Sequence, residues 1–253
     1  MGLQKWLSAR VGDMQAADPY RPPLPAELEA GVLGLRAVLA GEATDSLAAL
    51  GFTVSPGVGD GRPYTLVADG ADTERSWGAV VLPDGAPRLV VEVPHPKSDL
   101  RTAQLGLELF RAVPGSALLL AGAHRHAGGG AADVAHRTDS MFHVWAAALA
   151  APEVQVHGYA AASLPGVDAV ASAGAGSVTP AHEALRDALV AQGFRVCAGW
   201  VDAGGELEGT TNVQGIAATE RGTPFLHLEL APALRTDPAG RAAAVAAIAG
   251  TWP

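Results

Sequence analysis

From residue 88 onward the chain repeats one phrase: a short β-branched apolar run, a polar loop, an amphipathic stretch, and another apolar run. That rhythm is the signature of βαβ units, which place strands side by side in one sheet and drive the intervening helices onto its faces. Leu89–Val93 reads as a strand, Thr102–Val113 as a helix with Ala103, Gly106, Leu107 and Phe110 on one side, and Ala117–Ala123 as a buried strand. Ser140–Ala150 then reads as helix, Val154–Val156 as strand, Ala181–Gln192 as helix, Phe194–Cys197 and Phe225–Leu230 as strands, and Arg241–Ala249 as a closing helix. The expected fold class is α/β, with a mixed, largely parallel sheet and helices on both faces.

The first 75 residues follow a different pattern. The stretch 18–25 carries four prolines, and Leu28, Val32, Leu35, Val38 and Leu39 after it have helical spacing. Phe52–Val54, Tyr64–Val67 and Gly78–Leu82 look like meandering strands, separated by turns such as Val58-Gly59-Asp60-Gly61 and Pro83-Asp84-Gly85. With 253 residues, 49% of them hydrophobic and 17% charged, the chain can bury one sizeable core. Residues 1–253 are therefore expected to form one domain, with a helical and β extension over 1–75 and the core over 76–250.

The formal net charge of −9, with no block of Lys or Arg, gives no attraction for a phosphate backbone or an anionic lipid surface. Nucleic acid and membrane are thus not expected partners. Apolar runs such as Ala117–Ala123 are too short to span a bilayer, and Met1–Met14 lacks the apolar core of a signal peptide. Cys197 is the single cysteine, which excludes an internal disulfide and any Cys-cluster metal site. A cytoplasmic location is expected, and metal ligands must come from His and carboxylates.

In open α/β sheets reactive groups gather beyond the carboxyl ends of the strands. Pro94-His95-Pro96-Lys97-Ser98-Asp99 follows one strand, His124-Arg125-His126 the next, and His157-Gly158-Tyr159 a third, so four of the eight histidines stand at strand ends. Two histidines and a carboxylate, with a fourth position left to water, form the ligand set of a catalytic zinc. His95 and His157 are the histidine candidates. Asp99 is the preferred carboxylate, with an N-cap of the following helix as its competing role and Glu92 as the alternative ligand.

In Phe225–Leu230, alternation sets His227 and Glu229 on one face and three leucines on the other, which suits either an edge strand or a site facing inward. A partly buried Glu229 would serve as the base that hydrolysis needs. Arg125 could steady a developing oxyanion, or lie as a solvated loop residue. The polar run Glu208–Gly215 is a candidate substrate-facing loop, with Asn212 or Gln214 bonding an amide, or else a turn.

Taken in order, Pro94-His95 with Asp99, Asp133-Val134-Ala135-His136-Arg137, Val154-Gln155-Val156-His157-Gly158-Tyr159 and Leu226-His227-Leu228-Glu229-Leu230 resemble the N-formylglutamate amidohydrolase and phage poly-γ-glutamate hydrolase branch of the zinc carboxypeptidase-like fold. The resemblance covers about residues 76–250. It implies a zinc-dependent amidase holding one Zn2+ through His95 and His157, with Glu229 as general base and acid. It implies further that Arg137 grips a substrate carboxylate. Where relatives carry Asn before that arginine this chain carries His136, so His136 joins Asn212 and His227 as a candidate substrate contact. The expected substrate is a small acidic amide or peptide; a zinc esterase or deacylase, and a degenerate relative acting as a binding protein, are the alternatives.

Overall fold

The computed structural model describes residues 2–59, 61–70 and 74–252. Asp60, in the turn read from 58–61, lies outside them. The chain opens with helices α1 (Leu3–Asp13), α2 (Pro25–Ala40) and α3 (Asp45–Ala49), followed by strands β1 (Thr53–Gly59), β2 (Arg62–Ala68) and β3 (Ala79–Pro83). Then come β4 (Leu89–Val93), α4 (Thr102–Ala112), β5 (Ser116–Leu120), α5 (Met141–Leu149), β6 (Glu153–Gly158) and β7 (Ala169–Ser172). The remainder is α6 (Pro180–Ala191), β8 (Val196–Ala198), α7 (Val213–Arg221), β9 (Phe225–Leu230), α8 (Pro232–Thr236) and α9 (Pro238–Gly250).

Among the described residues the strands form one sheet in the order β1-β2-β3-β5-β4-β6-β9-β7-β8. The β4–β5, β4–β6, β6–β9 and β7–β8 pairings are parallel, whereas β1–β2, β2–β3, β3–β5 and β7–β9 are antiparallel. The sheet is therefore mixed, with its parallel run at the centre. The N-terminal strands β1 and β2 extend that same sheet at one edge. Three elements have no counterpart in the sequence reading, one of them the short helix α8. The other two are β7, whose Ala-Val-Ala-Ser run is short and weakly apolar, and α7, which hides in the polar segment after Glu208.

Helices cover both faces. On one, Leu3 and Leu7 of α1, Leu105 and Leu109 of α4, Leu185 and Leu189 of α6, and Val245 and Ile248 of α9 pack on Val91, Val93, Val154, Val156 and the three leucines of β9. On the other, Leu35 of α2, Leu47 of α3, and Phe142 and Trp145 of α5 pack on Val80, Leu82, Val90 and Leu119. No helix among the described residues is long and apolar enough to cross a membrane.

The second face changes character towards β6 and β9. Glu92, Glu153, Gln155, His157 and His227 project from it and are all buried. Burying such groups is tolerable only where they bond one another or a ligand.

Candidate metal centre

The path of the chain builds a crevice at this place. From β4 it crosses through α4 to β5 on one side, then returns through α5 to β6 on the other side of β4. The carboxyl ends of β4 and β6 thus flank a point where the strand order reverses, the position at which open α/β sheets leave room for a ligand. His95 lies two residues beyond β4, and His157 is the penultimate residue of β6.

The turn from 94 to 101 folds Asp99 back onto the strand ends. Its amide donates to the His95 carbonyl at 3.0 Å, and Thr102 Oγ1 donates to the Asp99 carbonyl at 2.7 Å. The N-cap of α4 is Arg101, held at φ +71°, so Asp99 does not cap that helix. Its carboxylate instead accepts the Gly158 amide at 3.1 Å, and its Oδ2 stands 3.4 Å from His95 Nδ1 and 3.5 Å from His157 Nδ1. The two imidazoles meet edge to face, with centroids 4.9 Å apart.

Both rings are gripped from behind. His95 Nε2 lies 2.7 Å from Asp133 Oδ1, and Asp133 Oδ2 accepts from Arg125 Nη2 at 2.6 Å. His157 Nε2 lies 2.6 Å from Gln155 Oε1, which also accepts from Asn212 Nδ2 at 2.5 Å. The other end of the Gln155 amide donates to Glu92 Oε2 at 2.7 Å and Gln214 Oε1 at 3.2 Å. This network assigns the amide its orientation and makes each Nε2 a donor, which leaves both Nδ1 lone pairs aimed at the Asp99 carboxylate.

Three electron-pair donors facing one another across a buried gap fit a cation. His95 Nδ1 is buried and has no hydrogen-bond partner. Ligands bound to one tetrahedral zinc at roughly 2.0–2.1 Å stand about 3.3 Å apart, close to the separations here and longer than a good hydrogen bond. Partners on the far ring nitrogens are the usual support of metal-binding histidines. Charge follows the same geometry. Burial would raise the Asp99 carboxyl, but the His157 and His95 imidazoles beside it hold it well below the usual carboxylate range. Burial pushes His157 down to about 4, while at His95 the carboxylates of Asp133 and Asp99 outweigh burial and lift the pKa.

Strand β9 brings the next residues. It lies between β6 and β7, so the edge-strand alternative does not hold. Glu229 pairs with His157 across the β6–β9 ladder, and His227 pairs with Gln155. Ligand atoms of His157, His227 and Glu229 lie within 4.8 Å of one another, as do those of His95, Asp99 and His157. Glu229 Oε2 and His227 Nδ1 are buried without partners. Burial, then the nearby Asp99 charge, raises Glu229 to about 8; burial and then the charges of His157 and His95 press His227 far down.

Other expected site residues are placed less centrally. Arg125 sits at the rim, and its charge acts on His95, His157 and Glu229. Arg137 does not join the cluster: it forms a two-point pair with Asp139, at 2.8 and 2.6 Å. His136 is exposed in the single turn after Asp133. Asn212 does not face an open cleft; it caps α7 by accepting from the amides of Gln214 and Gly215, and it orients Gln155. Glu92 belongs to the support under Gln155 and is absent from both candidate ligand groups. Asp133 and Gln155 had no role in the sequence reading. Alternation along β6 was the available signal for Gln155, since it shares a face with His157 inside an otherwise apolar strand.

No protein-family model matches the chain, and no curated protein matches it in sequence. Among solved structures it is similar to bacteriophage poly-gamma-glutamate hydrolase, at 17% identity and a TM-score of 0.47 over 65% of this chain and 83% of that one. It is similar to YndL in a zinc-free apo form, at 15% identity and a TM-score of 0.47 over 65% and 76% of the two chains. It is also similar to a metallo-carboxypeptidase from Burkholderia cenocepacia, at 12% identity and a TM-score of 0.39 over 85% and 66%.

Proposed function

We propose that this chain is a zinc-dependent hydrolase that cleaves the C–N bond of a small acidic amide or peptide. The observation that carries the reading is the convergence of His95 Nδ1 and His157 Nδ1 on Asp99 Oδ2, with the unpartnered Glu229 carboxylate on the adjoining strand. His95, Asp99 and His157 would hold one ion. Bound there, zinc polarises a carbonyl oxygen and lowers the pKa of a water to about 7.

The chain's own groups supply the rest. Glu229 accepts the proton of the attacking water and returns it to the leaving nitrogen, the role suited to a carboxyl whose proton affinity burial has raised. Asp133 and Gln155 keep the two imidazoles in the tautomer that presents Nδ1 to the ion. Arg125, half-buried with Nε unpartnered, offers a guanidinium edge to the oxyanion or to a substrate carboxylate. His136, exposed after Asp133, is a second candidate contact for an acidic group.

The reading is tested by assaying metal-loaded protein on N-acyl-glutamate amides, on neutral amides and on the matching esters. Turnover of the acidic amide, lost in Glu229→Gln with zinc retained, supports it. Full turnover in Glu229→Gln removes the base assignment, and a preference for the ester removes the amidase assignment.

A further inference from the structure

Arg235 lies in α8, the short helix that follows directly after β9. Its side chain is buried, with the residue 4% exposed, and no carboxylate hydrogen-bonds it. All of its bonds go to backbone carbonyls: Nε donates to Leu230 at 2.9 Å, Nη2 to Tyr159 at 3.1 Å, and Nη1 to Leu100. Those carbonyls lie one residue after Glu229, two after His157 and one after Asp99. One planar fork therefore ties together the three segments that carry the base and two of the candidate ligands.

Gly158 completes the connection. A methyl group on its Cα would overlap the guanidinium carbon, so the backbone at 158 lies directly on Arg235. The amide of the same residue donates to Asp99 Oδ2, the atom on which both Nδ1 groups converge. The backbone of Arg235 is held in turn by Arg241, which donates through Nη1 to the Arg235 carbonyl and through Nε to Glu108.

Burying a guanidinium without a bonded anion is costly, and three carbonyls could be left to water if the strand ends were open. The nearby acidic groups that act on Arg235 are Asp99, Glu229 and Tyr159. From this arrangement we infer that Arg235 is the positioning residue of the metal centre, acting through Gly158 and the three carbonyls to set the spacing of Asp99, His157 and Glu229. The inference rests on the metal-site reading above. It assigns the effect to the shape of the fork, since a positive charge alone would oppose the binding of a second cation.

The test compares Arg235→Lys, Arg235→Met and Gly158→Ala with the wild type by zinc titration and by hydrogen exchange at the Gly158 amide before zinc is added. The expected result is a zinc Kd at least tenfold weaker in each variant. Exchange at Gly158 is expected to accelerate at least tenfold while the Leu118 amide of β5 keeps its protection, which marks each variant as folded. A zinc Kd within twofold of wild type in either Arg235 variant overturns the inference. Should the wild type itself bind no zinc, the metal-site reading fails, and Gly158 exchange alone then decides the role of Arg235: unchanged exchange refutes it.

Discussion

Gln155 Oε1 lies 2.6 Å from His157 Nε2, two residues apart on one face of β6, so the strand that supplies a candidate ligand also supplies the group that fixes its tautomer. Gln155 is fully buried and its amide is saturated by Glu92, Gln214 and Asn212. Replacing it with leucine strands the Nε2–H and leaves Asn212 and Glu92 short of partners. Gln155→Leu is expected to cost about 2–4 kcal/mol in denaturant unfolding and to weaken zinc binding roughly 10- to 100-fold.

Metal content follows from the donor set. Purified wild type is expected to hold one zinc per chain by elemental analysis, and His95→Ala and His157→Ala to hold none after dialysis. Asp99→Asn keeps an acceptor for the Gly158 amide but loses the charge, and should retain zinc at least about tenfold more weakly. Zinc at a hundred times its Kd should stabilise the wild type by about 2.7 kcal/mol and leave the histidine variants unmoved.

Glu229→Gln separates binding from chemistry. The substitution keeps the volume and removes the proton acceptor, so zinc content should hold while kcat falls by roughly 10²- to 10⁴-fold.

Stability against pH carries a second mark of Glu229. Its folded-state pKa of about 8 exceeds the ordinary value of 4.5, so the folded chain binds more protons than the unfolded one across that window. Stability from this group is therefore fully present below about pH 4.5 and is lost as pH rises through 8. His157 runs the other way: with a folded pKa of about 4 against 6.5, it costs stability below pH 6.5 as the unfolded chain takes up the proton. In zinc-free protein, Glu229→Gln should remove roughly 2–4 kcal/mol of the decline between pH 5 and 8, measured by urea unfolding. An unchanged slope would place the Glu229 pKa near its ordinary value.

The two arginines should separate cleanly. Arg125 reaches the centre through Asp133, whereas Arg137 is engaged with Asp139. Arg125→Ala is expected to lower kcat/KM on an acidic amide by about 10- to 100-fold, and Arg137→Ala by less than about threefold.

The sequence by itself determined most of the strands and helices and the places where chemistry could collect. Strand and helix periods report which face of each segment is apolar, and the histidines at 95 and 157 could be recognised because polar residues ending apolar strands break that pattern. Local pattern also carried the alternation of β9. What it did not carry was partnership. Whether Asp99 capped a helix or faced the histidines depended on the turn that makes Arg101 the N-cap, and whether Glu229 lay on an edge depended on β9 entering between β6 and β7. The support behind the site was decided later still. Arg235 drew no reading in the sequence, and Asn212 read as a loop amide. Only the tertiary structure sets one against the carbonyls of Leu100, Tyr159 and Leu230 and the other behind Gln155, because most of this pairing spans 50 or more residues, is fixed by packing of the whole sheet and leaves no local period to read.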